Sequence, residues 1–194
     1  LDGDFSEAAL VGRINSDLAN DLGNLLNRTL QMVDNFCGGV LPVSGAAGQL
    51  EQEIAELAAK TVRDVDEKIS DFAFDEALKA IWALIGRGNK YIDETMPWKL
   101  AKEGKEEDLH RVLNTLYDVL RLGSLLVAPF VPDTAARLWE QLGLEGDPGK
   151  CAIDGFAWGE RTPGLKVNKG KVLFPRIDMN EWKKDKEARD GRKA

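Results

Sequence analysis

From Leu10 onward the apolar residues Leu10, Val11, Ile14, Leu18, Leu22, Leu25, Leu26, Leu30 and Val33 return at intervals of three and four. That is the period of one buried stripe along a long amphipathic helix. Asp4 and Glu7 have capping-box spacing at its start, and Gly38-Gly39 can supply a left-handed stop. Leu50, Ile54, Leu57, Thr61, Val65 and Ile69 predict a second helix, and a third begins near Phe74 with Leu78, Ile81, Trp82, Ile85 and Ile92. Met96-Pro97 breaks that third stripe, since proline lacks the amide hydrogen that a helix interior uses. A fourth helix runs from Glu106 through Leu109, Val112, Leu113, Leu116, Val119, Leu120 and Leu126 to Pro129. Pro132 opens a fifth, with Leu138, Trp139 and Leu142, which Gly143 closes.

Five helices on short connections predict an all-α fold, an antiparallel bundle over residues 1–143. Residues 144–180 lose periodicity and gain glycine and proline, so they read as an irregular segment wrapped on the bundle through Ile153, Phe156, Trp158 and Leu165. Within it Lys171-Val172-Leu173-Phe174 has the composition to pair as a short strand. Residues 181–194 form a charged terminal helix or tail.

The chain has 194 residues, 43% hydrophobic and 30% charged, enough to bury a sizeable core. Cys37 and Cys151 stand apart from each other and from the single histidine, so neither a disulfide framework nor a metal site is expected, and a reducing, cytoplasmic setting fits. No apolar run reaches membrane-spanning length and no export signal is evident. A formal net charge of -7 argues against broad binding to a phosphate backbone, DNA included, because such binding is driven by Lys and Arg. The only basic concentration follows Trp182, and a solvated terminal helix accounts for it most simply.

Catalytic chemistry is not evident. His110 is flanked by Asp108 and Arg111 on a predicted helix and reads as a surface residue, while Gly86, Gly88 and Asn168-Lys169-Gly170-Lys171 lack the spacing of a phosphate loop. No catalytic residue and no metal ligand is assigned. Trp82, Trp139 and Trp158 read as packing residues.

Two motifs carry more. Arg13-Ile14-Asn15-Ser16-Asp17-Leu18-Ala19-Asn20-Asp21-Leu22-Gly23-Asn24-Leu25-Leu26-Asn27-Arg28 resembles the opening helix of class I synthetase anticodon domains. Tyr91-Ile92-Asp93-Glu94-Thr95-Met96-Pro97-Trp98 resembles a segment of the bacterial-type methionyl-tRNA synthetases, and the strings from Ala128 to Pro132 and from Leu173 to Asp178 sit where that family has them. The family's His-Ile-Gly-His and Lys-Met-Ser-Lys-Ser signatures are absent. The resemblance therefore implies the helical anticodon-binding domain without the catalytic domain. It implies no cofactor in this chain, and ATP and magnesium for the parent ligase.

Its implied partners are methionine tRNAs, initiator and elongator, together with the parent's own catalytic domain. The resemblance assigns Asn24, Arg28 and Trp98 to the anticodon CAU. Asn24 and Arg28 are one turn apart on one helix face, and between them supply donors and an acceptor matching the edge of an unpaired cytosine. Trp98, placed by Pro97, can stack a base. Asp17 and Asp21 lie within two turns of Arg28 and repel phosphates, so weak affinity is expected for this chain alone. Two alternatives stay open: a non-catalytic helical protein-interaction module, and the anticodon domain of another class I synthetase.

Overall fold

The computed structural model describes residues 6–43, 45–153, 156–160 and 164–190, the last six as backbone alone. The first helix is continuous in three parts: α1 (Glu7–Arg13), a π-wound stretch (Ile14–Gly23) and α2 (Asn24–Cys37). Ser6 caps it, its hydroxyl accepting from Ala9 N at 3.1 Å. Asp4 lies outside the described residues; Ser6 occupies the capping position in place of the expected Asp4 and Glu7 box, serine being as good a cap as aspartate. At the far end Gly38 takes the left-handed conformation at φ 60 and terminates α2 as expected.

Val11, Leu22, Leu25, Leu26, Leu30 and Val33 are buried, but Leu10 is exposed. Neighbours on a helix point about 100° apart, and Val11 takes the inward direction here. After α3 (Gln49–Ser70) come α4 (Phe74–Thr95), the short α5 (Pro97–Lys102), α6 (Glu106–Val127), α7 (Pro132–Gln141) and α8 (Met179–Asp190). Glu51 beside Tyr91 and Lys68 beside Glu76 set α3 against α4 in opposite directions. The long helices alternate up and down about a core of Leu25, Leu30, Ile54, Ile81, Leu113 and Leu116. The fold is all-α.

Among the described residues, Lys171–Phe174 forms no strand, contrary to the expectation from its composition. No partner strand lies beside it: Leu173 is buried, Val172 faces outward, and the Lys171 carbonyl accepts from the Gln141 side chain at 3.0 Å. The pairing that does occur is one antiparallel bridge, Val40 with Lys166, flanked by Leu41 N donating to Leu165 O at 2.8 Å and Val167 N to Gly39 O at 3.0 Å. Ile153, Phe156, Trp158, Leu165 and Phe174 pack against the bundle. The carboxylate of Asp178 accepts from Asn180 N and Glu181 N and starts α8. Among the described residues no helix is long and apolar enough to cross a membrane.

Candidate nucleic-acid interface

The polar face of the first helix meets α4 in register. A β-carbon on Gly88 would stand 3.1 Å from Leu25 and 3.2 Å from Val119, so the absence of a side chain there lets α4 approach both α2 and α6. One residue on, Asn89 donates to Asp21 O at 3.1 Å and accepts from Asn24 Nδ2 at 3.5 Å. One turn further, Arg28 donates to Asp93 Oδ1 at 2.7 Å. Two pairs four residues apart therefore face each other across parallel helices, Asn24 and Arg28 on one, Asn89 and Asp93 on the other. Trp82 adds a third tie lower down, its indole N–H donating to Asp17 O at 3.1 Å.

Trp98 reaches the same region by a sharp turn. Met96 is left-handed at φ 46 and ψ 64, and Pro97 is buried at the first position of α5. α5 packs against α2 and α6, and the Trp98 side chain on it is 49% exposed. The structure brings Asn24 and Arg28 together through Asn89 and Asp93. Among the described residues no hydrogen bond or ion pair joins Trp98 to either.

On the other flank of Asn24 runs an open groove of about 630 Å³ between the first helix and the chain leading to α8, lined by Asn20, Asn24, Asn27, Phe174, Pro175 and Arg176. That chain is pinned at several points. Asn15 accepts from Ile177 N and donates to Ile177 O, both at 2.9 Å, and Arg176 donates to Asn20 Oδ1 from Nε at 3.2 Å and from Nη2 at 2.9 Å. Phe174 passes over Gly23, where a β-carbon would lie 3.6 Å from its ring. Asn20, Asn27, Asp93 and Arg176 lie within the motif strings without an assigned role, and Asn89 lies outside them. Asn89 and Asp93 repeat the four-residue spacing of Asn24 and Arg28, which is the signal that can find them.

Burial and, less strongly, the neighbouring Asp17 charge raise the Asp21 carboxyl above its ordinary value. A carboxyl raised in the folded state favours folding when protonated, and that contribution is lost as pH rises through its folded pKa. Asp21→Asn is therefore expected to unfold at a higher temperature than the parent chain at pH 7, with the difference shrinking as pH falls toward 3.8, the ordinary value. Thermal unfolding followed by circular dichroism at several pH values checks this.

A second, smaller hollow of about 310 Å³ lies at Gly48, Glu51, Thr95, Leu100 and Arg111. The buried Glu51 carboxylate accepts from Gly48 N at 2.7 Å and from the Tyr91 hydroxyl. Burial first, then Glu51, pushes the Tyr91 phenol far up, so this network holds a fixed proton and ties α3 to α4. His110 is half-buried on α6, next in sequence to the pair Arg111 and Asp108 at 3.0 Å. Among the described residues no group of three His, Cys, Asp or Glu side chains is placed to hold a metal ion.

The bundle has known relatives among solved structures. It superposes on the apo form of Mycobacterium tuberculosis methionyl-tRNA synthetase with a TM-score of 0.83 at 33% identity, over 92% of this chain and 36% of that one. The same enzyme in complex with methionyl-adenylate gives 0.83 at 32% identity, over 90% and 34%. Fold and face together define an all-α domain of the kind carried by aminoacyl-tRNA synthetases. Residues 41–193 match the family model described as the anticodon binding domain of methionyl tRNA ligase, and the chain belongs to that family.

Similar curated proteins include the methionine–tRNA ligases of Caldanaerobacter subterraneus subsp. tengcongensis, 43% identical over 93% of this chain, and Bacillus subtilis, 41% identical over 93%. The chain spans 28% and 27% of their respective lengths.

Proposed function

We propose that this chain is the anticodon-reading part of a methionine–tRNA ligase, which recognises the CAU of initiator and elongator methionine tRNAs through Asn24, Arg28 and Trp98. The observation that carries the reading is how loosely the two polar groups are held. Asn24 has one long contact at 3.5 Å, and Arg28 pairs with an Asp93 side chain that is 66% exposed. An exposed ion pair of that kind contributes at most about 1 kcal/mol, so releasing Arg28 to a base costs little. The Watson–Crick edge of cytosine offers two acceptors and an amino donor. Arg28 donates, Asn24 both donates and accepts, and the half-exposed Trp98 indole offers a stacking surface for an unstacked base.

Methionine, ATP and magnesium belong to the remainder of the ligase, whose catalytic domain is the other partner of this one. In this reading the parent protein works in the cytoplasm, where translation takes place. The chain alone neither activates methionine nor needs a cofactor. The carboxylates Asp17 and Asp21 keep its unaided affinity for tRNA weak.

The test is a titration with RNA stem-loops carrying CAU or GAU, followed by the tryptophan fluorescence that disappears in Trp98→Phe. Tighter binding of CAU is expected, with the preference abolished in Asn24→Ala and in Arg28→Ala. Equal binding of the two loops overturns the CAU reading, and binding of neither favours a protein-interaction module.

A further inference from the structure

Asn24 is one member of a longer row. Asn20, Asn24, Asn27, Gln31 and Asn35 follow one another at spacings of four, three, four and four, which puts five carboxamides on one side of the first helix. At about 1.5 Å per residue the row is roughly 22 Å long, more than one base needs. Each carboxamide donates and accepts, and none carries charge, so the row suits a ligand with mixed polar edges and does not repel an anion.

Two cations of the irregular segment close over this row. Arg176 holds the Asn20 amide oxygen at 2.9 Å, and Lys169 donates to the Gln31 amide oxygen. Gln31 in turn donates to Asn35 at 2.7 Å. Their partners set these two cations apart from the paired lysines of the bundle helices. Lys60, Lys79 and Lys90 on the bundle helices each face a carboxylate four residues away. Among the described residues neither Lys169 nor Arg176 has a carboxylate partner. In a chain of formal net charge -7, two cations held by neutral amides of one polar row are positions where an anion can bind without displacing an acid.

We infer that the carboxamide row and its two cations form a track for single-stranded RNA, in which Arg176 and Lys169 take backbone phosphates of nucleotides flanking the base held at Asn24. The inference rests on the anticodon reading above and extends it from one base to a length of strand. Its chemistry is separate from base reading, because phosphate contacts add affinity and salt dependence while carrying no sequence information.

The experiment measures binding of the 194-residue chain to the CAU and GAU stem-loops between 50 and 200 mM salt, for the parent chain and for Lys169→Gln, Arg176→Gln and Arg176→Lys. Each glutamine variant is expected to reduce the slope of log affinity against log salt by about 0.7, and to weaken both loops by the same factor of about five at 0.1 M salt. Arg176→Lys keeps the charge but loses the paired hydrogen bonds to Asn20, and should retain the parent slope. Unchanged slopes in both glutamine variants overturn the track. A slope that falls as far in Arg176→Lys as in Arg176→Gln also overturns it, since docking of the segment would then be the cause.

The two readings fail differently. A parent chain with no preference for CAU, whose slope still depends on Lys169 and Arg176, keeps the track and removes the anticodon reading. A chain that binds neither loop removes both.

Discussion

Alanine at position 143 is expected to lower stability by about 3 kcal/mol or more, one of the largest effects of any single methyl group added to this chain. Gly143 ends α7 at φ 77, a conformation that costs an L side chain about 1–2 kcal/mol by itself. A β-carbon there would also fall 1.9 Å from the Lys166 carbonyl oxygen, which is backbone and cannot rotate aside. Relief requires moving residues 165–168, and with them the bonds from Leu41 N to Leu165 O, from Val167 N to Gly39 O and from Asn168 N to Gln141 O. Urea unfolding followed by circular dichroism measures the loss. A change below about 1 kcal/mol would show that the segment crosses α7 less closely than this.

Replacing Trp98 by alanine is expected to weaken CAU stem-loop binding by about 1–3 kcal/mol, roughly fivefold to 150-fold, while the unfolding midpoint moves little. The indole is 49% exposed and makes no hydrogen bond among the described residues, so its removal takes a stacking surface from the RNA more than packing from the core. Trp98→Phe keeps a smaller platform and should fall between the two. Parent-like affinity in Trp98→Ala would take this residue out of the site.

Much of the bundle is legible in the sequence because its helices are amphipathic and their ends carry chemical marks. Gly38, Pro97, Pro132 and Gly143 each punctuate a helix where the pattern places them. The π winding of Ile14–Gly23 is not legible, since Ile14, Leu18 and Leu22 recur at intervals of four that an α-helix also uses, and a wider turn leaves no mark in composition. The short strand at Lys171–Phe174 fails for a different reason. Composition describes what a strand needs from its own residues but not whether a partner lies alongside, and here the Gln141 amide takes the Lys171 carbonyl instead.

The candidate site divides in the same way. Asn24, Arg28 and Trp98 emerge from motifs, whereas Asn20 and Arg176 become neighbours only when residues 156 positions apart meet. No local pattern reports such a meeting.

The bonds from Asn15 to Ile177, from Asn20 to Arg176 and from Gln31 to Lys169 span separations of 162, 156 and 138 residues. On the ribosome the helices can pair as they emerge, each with the one before it, but one wall of the groove beside Asn24 comes from residues 172–176, which are made after the bundle helices. Contacts of such long separation form late. A nascent chain can thus hold its α2–α4 face while the groove is still half built, so the synthesis of residues 169–177 decides when the whole polar surface becomes available.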